Sequence, residues 1–283
     1  MKDTVIQLIE KAIEAIQANR LESAKALLNQ ALVIDKNQPD VLRFMGVVAA
    51  IEKKWDEALR WVDFAIASGP QNGISYSNRG NILNELGRYQ DALVSYEKAI
   101  TLLPNYAEAH SNKGSLLRGM GRHEEALSSY EIAVSLDHSN VQAFYGAALI
   151  FLLRKKYDYA LGCCEQILNL QPLHEYALAL KGNIYSDVKD YQNAIATYDK
   201  ALSINPRSSE IWLAKANIFS AMKQFPEASL IYQRVLQIDP NIDFLLGIAM
   251  QNDLQMCYWE NQANQVRELI IKIEKEEKVA IPY

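Results

Sequence analysis

The residue types that most often carry chemistry are few in this chain and poorly placed for it. The four histidines, His110, His123, His138 and His174, recur at unrelated spacings and form no cluster. Of the three cysteines, Cys163 and Cys164 are adjacent and Cys257 is distant, which gives neither a disulfide framework nor a spaced metal-ligand pair. Free thiols suit a reducing compartment. No phosphate-cradling glycine loop, HExxH helix or nucleophile elbow occurs. Adjacent acids such as Glu124 and Glu125 read as first-turn helix residues that favour the local dipole. These patterns predict no catalytic residue, no cofactor and no metal, and hence a protein that is not an enzyme. Asparagine is the sharper signal. A carboxamide both donates and accepts, so it can grip a peptide backbone whatever the side chains of that peptide are. Asn78, Asn81, Asn84, Asn112, Asn183 and Asn217 are the candidates. The same residues could instead solvate an exposed helix or bond to a neighbouring segment.

Something must hold these asparagines on one surface, and a period of 34 residues supplies it. The segment ISYSNRGNILNELGRYQDALVSYEKAITLLPNY recurs as AEAHSNKGSLLRGMGRHEEALSSYEIAVSLDHSN. Carried in both directions, the stride gives repeats 5–38, 39–72, 73–106, 107–140, 141–174, 175–208 and 209–242, without insertion or deletion. Counted from the start of each repeat, position 20 is always alanine, from Ala24 to Ala228. Position 8 is Ala12, Gly46, Gly80, Gly114, Ala148, Gly182 and Ala216, and position 24 is tyrosine in four repeats. Small residues at positions 8 and 20 let two helix backbones approach, and large ones at 11, 17 and 24 fill the space around them. Proline at position 32 in five repeats ends the second helix, while Pro39 and Pro226 fall where a helix begins.

This small-against-large signature resembles the tetratricopeptide-repeat family over residues 5–242. The resemblance implies an all-α fold: a right-handed superhelix, or α–α solenoid, of seven helical hairpins, here with C-terminal capping helices. Position 7, often leucine in that family, is basic in five repeats (Lys11, Arg79, Lys113, Lys181 and Lys215). Such side chains can pack their stems while the charge reaches water.

Composition agrees with a binding array. Apolar residues make up 49% of the chain, enough to bury a large core, and the net charge of −5 argues against nucleic acid as the main partner. The longest apolar stretch, residues 144–153, is too short for a membrane span, and the acid-bearing N-terminus is not a signal peptide. A cytoplasmic protein with no membrane partner is expected.

In tetratricopeptide arrays, positions 2, 5, 6, 9, 12 and 13 of each first helix line an inner groove. In this sequence they carry Ser77, Asn78, Asn81, Asn84 and Glu85 in the third repeat, and Glu108, Ser111, Asn112, Ser115 and Arg118 in the fourth. Val47 and Ile51 precede them, and Tyr145, Tyr176, Asn183 and Asn217 follow. The runs Tyr76–Asn81 and His110–Ser115 resemble the asparagine-bearing helices of O-linked N-acetylglucosamine transferase repeats. Ile6, Ile9, Ile13 and Ile16 of the first repeat, and Tyr145, Leu149, Leu152 and Leu153 of the fifth, add apolar groove stretches open to burial, ligand contact or self-association. The carboxylate clamp of chaperone-binding relatives is not expected, because only Arg43 and Arg118 sit at groove positions, two repeats apart.

Residues 243–283 break the period. Two capping helices are predicted, about 243–257 and 260–277, with Leu254, Val266, Leu269, Ile270 and Ile273 facing the last repeat. Residues 272–278, mostly Lys and Glu, would form the polar outer face. The run Cys257-Tyr258-Trp259, a charged helix and Ile281-Pro282-Tyr283 resemble the linker that follows the repeats in SPINDLY-type bacterial transferases. Three functional expectations follow. The first is a scaffold holding a peptide or partner protein in its groove. The second is the substrate-recognition part of a glycosyltransferase whose catalytic domain lies elsewhere. The third is a self-assembling scaffold, a homo-oligomer.

Overall fold

The computed structural model describes residues 2–240, 242 and 245–255. Among these, every regular element is an α-helix. Helix α1 (Lys2–Gln17) pairs with α2 (Leu21–Ile34), α3 (Pro39–Ile51) with α4 (Trp55–Ser68), and α5 (Gly73–Glu85) with α6 (Tyr89–Leu102). Helix α7 (Ala107–Gly119) pairs with α8 (His123–Leu136). After α9 (Val141–Leu153) and α10 (Tyr157–Leu170), α11 (Glu175–Asp187) pairs with α12 (Tyr191–Ile204), and α13 (Ser209–Ala221) with α14 (Phe225–Ile238). Helix α15 (Leu245–Gln255) follows. The first helices from α3 onward begin at the residues where the 34-residue stride places each repeat.

Local chemistry fixes these boundaries. Pro39 and Pro226 occupy the first turns of α3 and α14, where no helical N–H is needed. Position 34 supplies caps: the side chains of Gln38, Asn72, Asn140 and His174 accept backbone N–H groups of the helices they precede. Each hairpin turn passes through one left-handed residue, always at position 15. It is glycine at Gly87 (φ 72°) and Gly121 (φ 76°), and Asn19, Lys53, Lys155, Lys189 and Lys223 elsewhere.

The chain divides into two compact units, Met1–Ile150 and Phe151–Tyr283. In the first, Leu83, Ala92, Tyr96, Leu117, Ala126, Tyr130 and Ile150 form one apolar cluster, and Ala12, Ala24, Leu28, Val41 and Met45 another. In the second, Ala194, Tyr198 and Ile218 lie in one cluster, and Ala216, Ala228, Tyr232 and Leu245 in the next. The alanines at position 20 are fully buried, as the stride requires. Within three hairpins the tyrosine at position 24 fills the space left by glycine at position 8. A Cβ on Gly80, Gly114 or Gly182 would meet the ring of Tyr96, Tyr130 or Tyr198 at 2.5, 2.7 or 2.4 Å.

The basic residues of position 7 do not simply extend into water. Four of the five reach a carboxylate at position 25 of the preceding hairpin. Arg79 pairs with Asp63 at 2.8 Å and Lys113 with Glu97 at 3.0 Å in the first unit. Lys181 pairs with Glu165 at 3.1 Å and Lys215 with Asp199 at 2.5 Å in the second. The base is the more buried partner in every case, because its stem lies between helices. Lys11, in the first repeat, is exposed.

One packing expectation needs correction. Leu254 does not face the last repeat: it is 43% exposed, whereas Leu245, Leu246, Ala249 and Met250 are the buried residues of α15. Nine residues after Leu245, at 100° each, it lies half a turn round the helix. Asn252 instead holds α15 in place, donating from Nδ2 to the Phe225 carbonyl at 2.9 Å. The second predicted cap helix, with Val266, Leu269, Ile270, Ile273 and the charged run 272–278, lies outside the described residues. So do Cys257-Tyr258-Trp259 and Ile281-Pro282-Tyr283, and with them the transferase-type linker resemblance.

Candidate functional site

The asparagines at the groove positions fall at three repeat positions: 6 (Asn78 and Asn112), 9 (Asn81, Asn183 and Asn217) and 12 (Asn84). Those at position 9 face tyrosine hydroxyls within their own hairpins. The Tyr96 hydroxyl donates to Asn81 Oδ1 at 2.7 Å, that of Tyr198 to Asn183 Oδ1 at 2.6 Å and that of Tyr232 to Asn217 Oδ1 at 2.8 Å. Each carboxamide is thereby turned with its oxygen inward and its N–H2 outward. In the fourth repeat the shorter Ser115 takes this place, with Tyr130 at 3.2 Å. Burial pushes the Tyr96 phenol well above its ordinary pKa, and the charges of Glu85 and Glu108 add to the effect. The phenol therefore stays a neutral donor throughout the physiological range.

At position 6 the asparagines are not held by tyrosine. Asn78 makes no side-chain hydrogen bond among the described residues, and Asn112 Oδ1 accepts only from Gln142 Nε2, at 3.2 Å. The same Gln142 amide reaches Ser115 Oγ at 3.2 Å.

In the first unit these groups converge on one cleft of about 480 Å³, within the size range of ligand sites. Asn78, Asn81, Asn84 and Asn112 line it together with Ser115 and Gln142. Val47, Ala50, Ile51, Trp55 and Ile82 form an apolar wall, and Glu85 and Glu108 bring two carboxylates. Helices α3, α5, α7 and α9 supply most of this lining, so the cleft is built from their inner faces. Neither carboxylate is in an ion pair among the described residues. Glu108 Oε2 accepts from the Tyr106 hydroxyl at 2.8 Å. The nearby cation Arg43 is engaged by Asp40 on its own helix at 3.0 Å and stacks on Phe44 at 4.1 Å.

Of the sequence-derived candidates, the cleft therefore gathers Asn78, Asn81, Asn84 and Asn112. Arg118 and Tyr145 belong to the same unit but do not line it. Arg118 is half-buried, with its Nε unpartnered. Tyr176, Asn183 and Asn217 lie in the second unit, where Tyr176 is 66% exposed. Ser77 and Ser111 are not groove residues: both are buried, because position 5 turns toward the helix pair and not the cleft. Trp55, Ile82, Tyr96 and Gln142 were not singled out from sequence. Gln142 sits at position 2, a groove position by the helical arithmetic, and the recurrence of Asn at position 9 with Tyr at 24 signals the Tyr96 contact. Of the apolar stretches, Ile6 is half-exposed and Leu153 is 67% exposed, while Ile9, Ile13 and Ile16 are partly buried.

Other reactive groups have structural surroundings. The His174 Nδ1 accepts the Ala177 N–H as a helix cap, and His110 Nε2 lies 3.0 Å from the Pro104 carbonyl. Cys164 is buried and Cys163 is half-buried. Burial pushes their thiols up to about 12 and about 11. Among the described residues no group of three or more His, Cys, Asp or Glu side chains could hold a metal ion. No described helix is long and apolar enough to cross a membrane.

Comparison with known proteins matches three family models, all of tetratricopeptide repeats: "TPR repeat" over residues 80–121, and "Tetratricopeptide repeat" over 111–174 and over 187–247. No curated protein matches the sequence. Among solved structures, one of PilF from Pseudomonas aeruginosa is 21% identical, with a TM-score of 0.68 over 78% of this chain and 98% of that one. A tetratricopeptide repeat protein from Parabacteroides merdae is 19% identical, with a TM-score of 0.62 over 90% and 99%. YrrB, described as a TPR protein with an unusual peptide-binding site, is 18% identical, with a TM-score of 0.53 over 64% and 93%. At these identities the likeness establishes the α-hairpin fold.

Proposed function

We propose, from the premise that this chain carries tetratricopeptide repeats, that it is an interaction scaffold whose first unit holds an extended peptide, free or as part of a partner protein. One observation carries this reading: four carboxamides, Asn78, Asn81, Asn84 and Asn112, line a single cleft beside an apolar wall. Carboxamides satisfy backbone N–H and C=O groups, and the wall removes apolar side chains from water. Asn81 is pre-oriented by Tyr96, so little freedom is lost when it binds. The peptide-binding site described for YrrB supports the same kind of ligand for this fold. The adjacent, unjoined thiols of Cys163 and Cys164 suit a cytoplasmic setting.

The test is an array of random heptapeptides probed with the wild-type protein and with Asn78→Ala/Asn112→Ala. These side chains carry no fold contact beyond the Gln142 amide, so the melting temperature should hold within a degree or two. Peptides bound by the wild type should bind the variant about tenfold more weakly or worse, from two lost hydrogen bonds. Equal affinity would discard backbone gripping.

A further inference from the structure

The cleft also carries information about which peptide it holds. Its apolar side is continuous in composition: Val47, Ala50, Ile51, Trp55 and Ile82, with no charged group among them. Its remaining lining is carboxamide, hydroxyl and two carboxylates, Glu85 and Glu108, with no lysine or arginine. Glu85 is the last residue of α5 and Glu108 lies in the first turn of α7, so each charge occupies its own part of the lining, with the buried Tyr96 phenol feeling both. Four other carboxylates of the first unit are paired with a base: Asp63 with Arg79, Glu97 with Lys113, Asp91 with Arg88 and Glu125 with Arg122. Neither acid of the cleft has such a partner among the described residues, and Arg43, whose charge is felt at Tyr106 beside Glu108, is already committed to Asp40.

We propose that the occupant is an extended peptide segment presenting a large apolar side chain and, two residues away, a lysine or arginine. This rests on the peptide-binding reading above and adds the side-chain chemistry to it. In an extended chain, residues i and i+2 point to the same side, about 7 Å apart. One can then enter against Trp55 and Ile51 while the other reaches Glu85, which holds in α5 the repeat position that Ile51 holds in α3. The carboxamides meet the backbone between them. An acidic residue in the second place meets the like charge of Glu85, and the Glu108 carboxylate adds to the negative field of the cleft, so the site selects by repulsion as well as by attraction.

The experiment uses the full chain and four sets of capped heptapeptides immobilised on one surface. All share a Gly-Gly-Ω-Ser-Ζ-Gly-Gly frame. In these, Ω is leucine or phenylalanine in three sets and serine in the fourth, and Ζ is lysine or arginine, glutamine, or glutamate. Expected results are the tightest binding for apolar–basic frames, about fivefold weaker binding for apolar–glutamine, and still weaker binding for apolar–glutamate. Serine in the apolar place should abolish detectable binding of the basic frame. The Glu85→Gln/Glu108→Gln variant should bind apolar–glutamine frames as the wild type does, but lose the preference for lysine over glutamate. The same preference should shrink as ionic strength rises. Apolar frames that bind equally whether they carry lysine or glutamate would overturn the charge selection and leave the peptide-binding reading standing. Binding of no frame at any concentration would overturn both. A preference that survives in the Glu85→Gln/Glu108→Gln variant would show that these carboxylates are not its source.

Discussion

Gly182→Ala and Gly162→Ala make the same chemical change in two helices of one unit, and the packing predicts opposite signs. Replacing glycine with alanine inside a helix ordinarily stabilises by about 0.5–1 kcal/mol, because alanine loses less backbone freedom on folding. Around Gly162 nothing lies within 4 Å of the new Cβ, so that gain should appear in full. At Gly182 the Cβ would sit 2.4 Å from Cε1 and 2.6 Å from Cδ1 of Tyr198. That ring is 1% exposed and its hydroxyl is tied to Asn183, so it cannot swing aside without breaking a hydrogen bond. Overpacking of this kind costs about 2–3 kcal/mol in a closed site. After the propensity gain, a net loss of about 1–2 kcal/mol remains. The seventh hairpin, which places Ala216 beside Tyr232, shows that a wider hairpin can take both, so the lower end of this range applies if α11 and α12 spread. Urea unfolding followed by far-ultraviolet circular dichroism and tyrosine fluorescence should move the midpoint up for Gly162→Ala and down for Gly182→Ala. Adding Tyr198→Leu, which copies the Ala12 and Leu28 pairing of the first hairpin, should relieve most of the clash in a double-mutant cycle. If Gly182→Ala stabilises as Gly162→Ala does, the interlock of positions 8 and 24 does not set the helix spacing.

Two further outcomes follow from charge and burial. Lys113→Glu places two acids together at the Glu97 site and should destabilise by about 1 kcal/mol, with Glu97→Lys/Lys113→Glu recovering most of the loss in low salt; a charge swap that recovers nothing would mean the ladder does no more than decorate the surface. With Cys257 replaced by serine, Cys163 should be alkylated slowly near neutral pH, its rate rising with pH until about 11 before levelling, because burial disfavours the reactive thiolate; a plateau near the ordinary thiol value of 9 would contradict that burial.

The hairpin array was legible in the sequence because its packing rule operates within one repeat. Ala24 through Ala228, and the glycines opposite Tyr96, Tyr130 and Tyr198, specify a close approach that repeats every 34 residues. What escaped that reading depends on partners in another hairpin or on backbone conformation. Position 7 looked like a departure from the family, since Arg79 or Lys113 alone says nothing of Asp63 or Glu97, which are brought near only by stacking. Likewise Lys53, Lys155, Lys189 and Lys223 look like ordinary helix-end residues, yet each bears the left-handed turn that glycine bears at Gly87 and Gly121. Ser77 and Ser111 failed for a different reason. A helical wheel assigns a face to within a fraction of a turn, and position 5 sits at the border where a small shift decides between cleft and core.

The asparagines show how far the cleft could be read and where the reading had to stop. Position 6 and position 9 lie on one helical face, so sequence grouped Asn78 with Asn81 and gave both the same task. Three residues of separation nevertheless change the neighbour. A side chain at position 9 lies above the small residue at position 8 of its own hairpin, where the tyrosine from position 24 ends, and its carbonyl is taken by that hydroxyl. A side chain at position 6 clears the ring, and Asn78 keeps both ends of its carboxamide for another molecule. The pairing of Asn with Tyr in the third, sixth and seventh hairpins is therefore first a packing device, and it turns Asn183 and Asn217 as it turns Asn81. In the third hairpin an oriented carboxamide, Asn81, and an unengaged one, Asn78, meet beside Asn112 of the fourth, against an apolar wall supplied chiefly by the second. The adjacency of these three hairpins, rather than the number of asparagines in the chain, is what makes the cleft a candidate binding site.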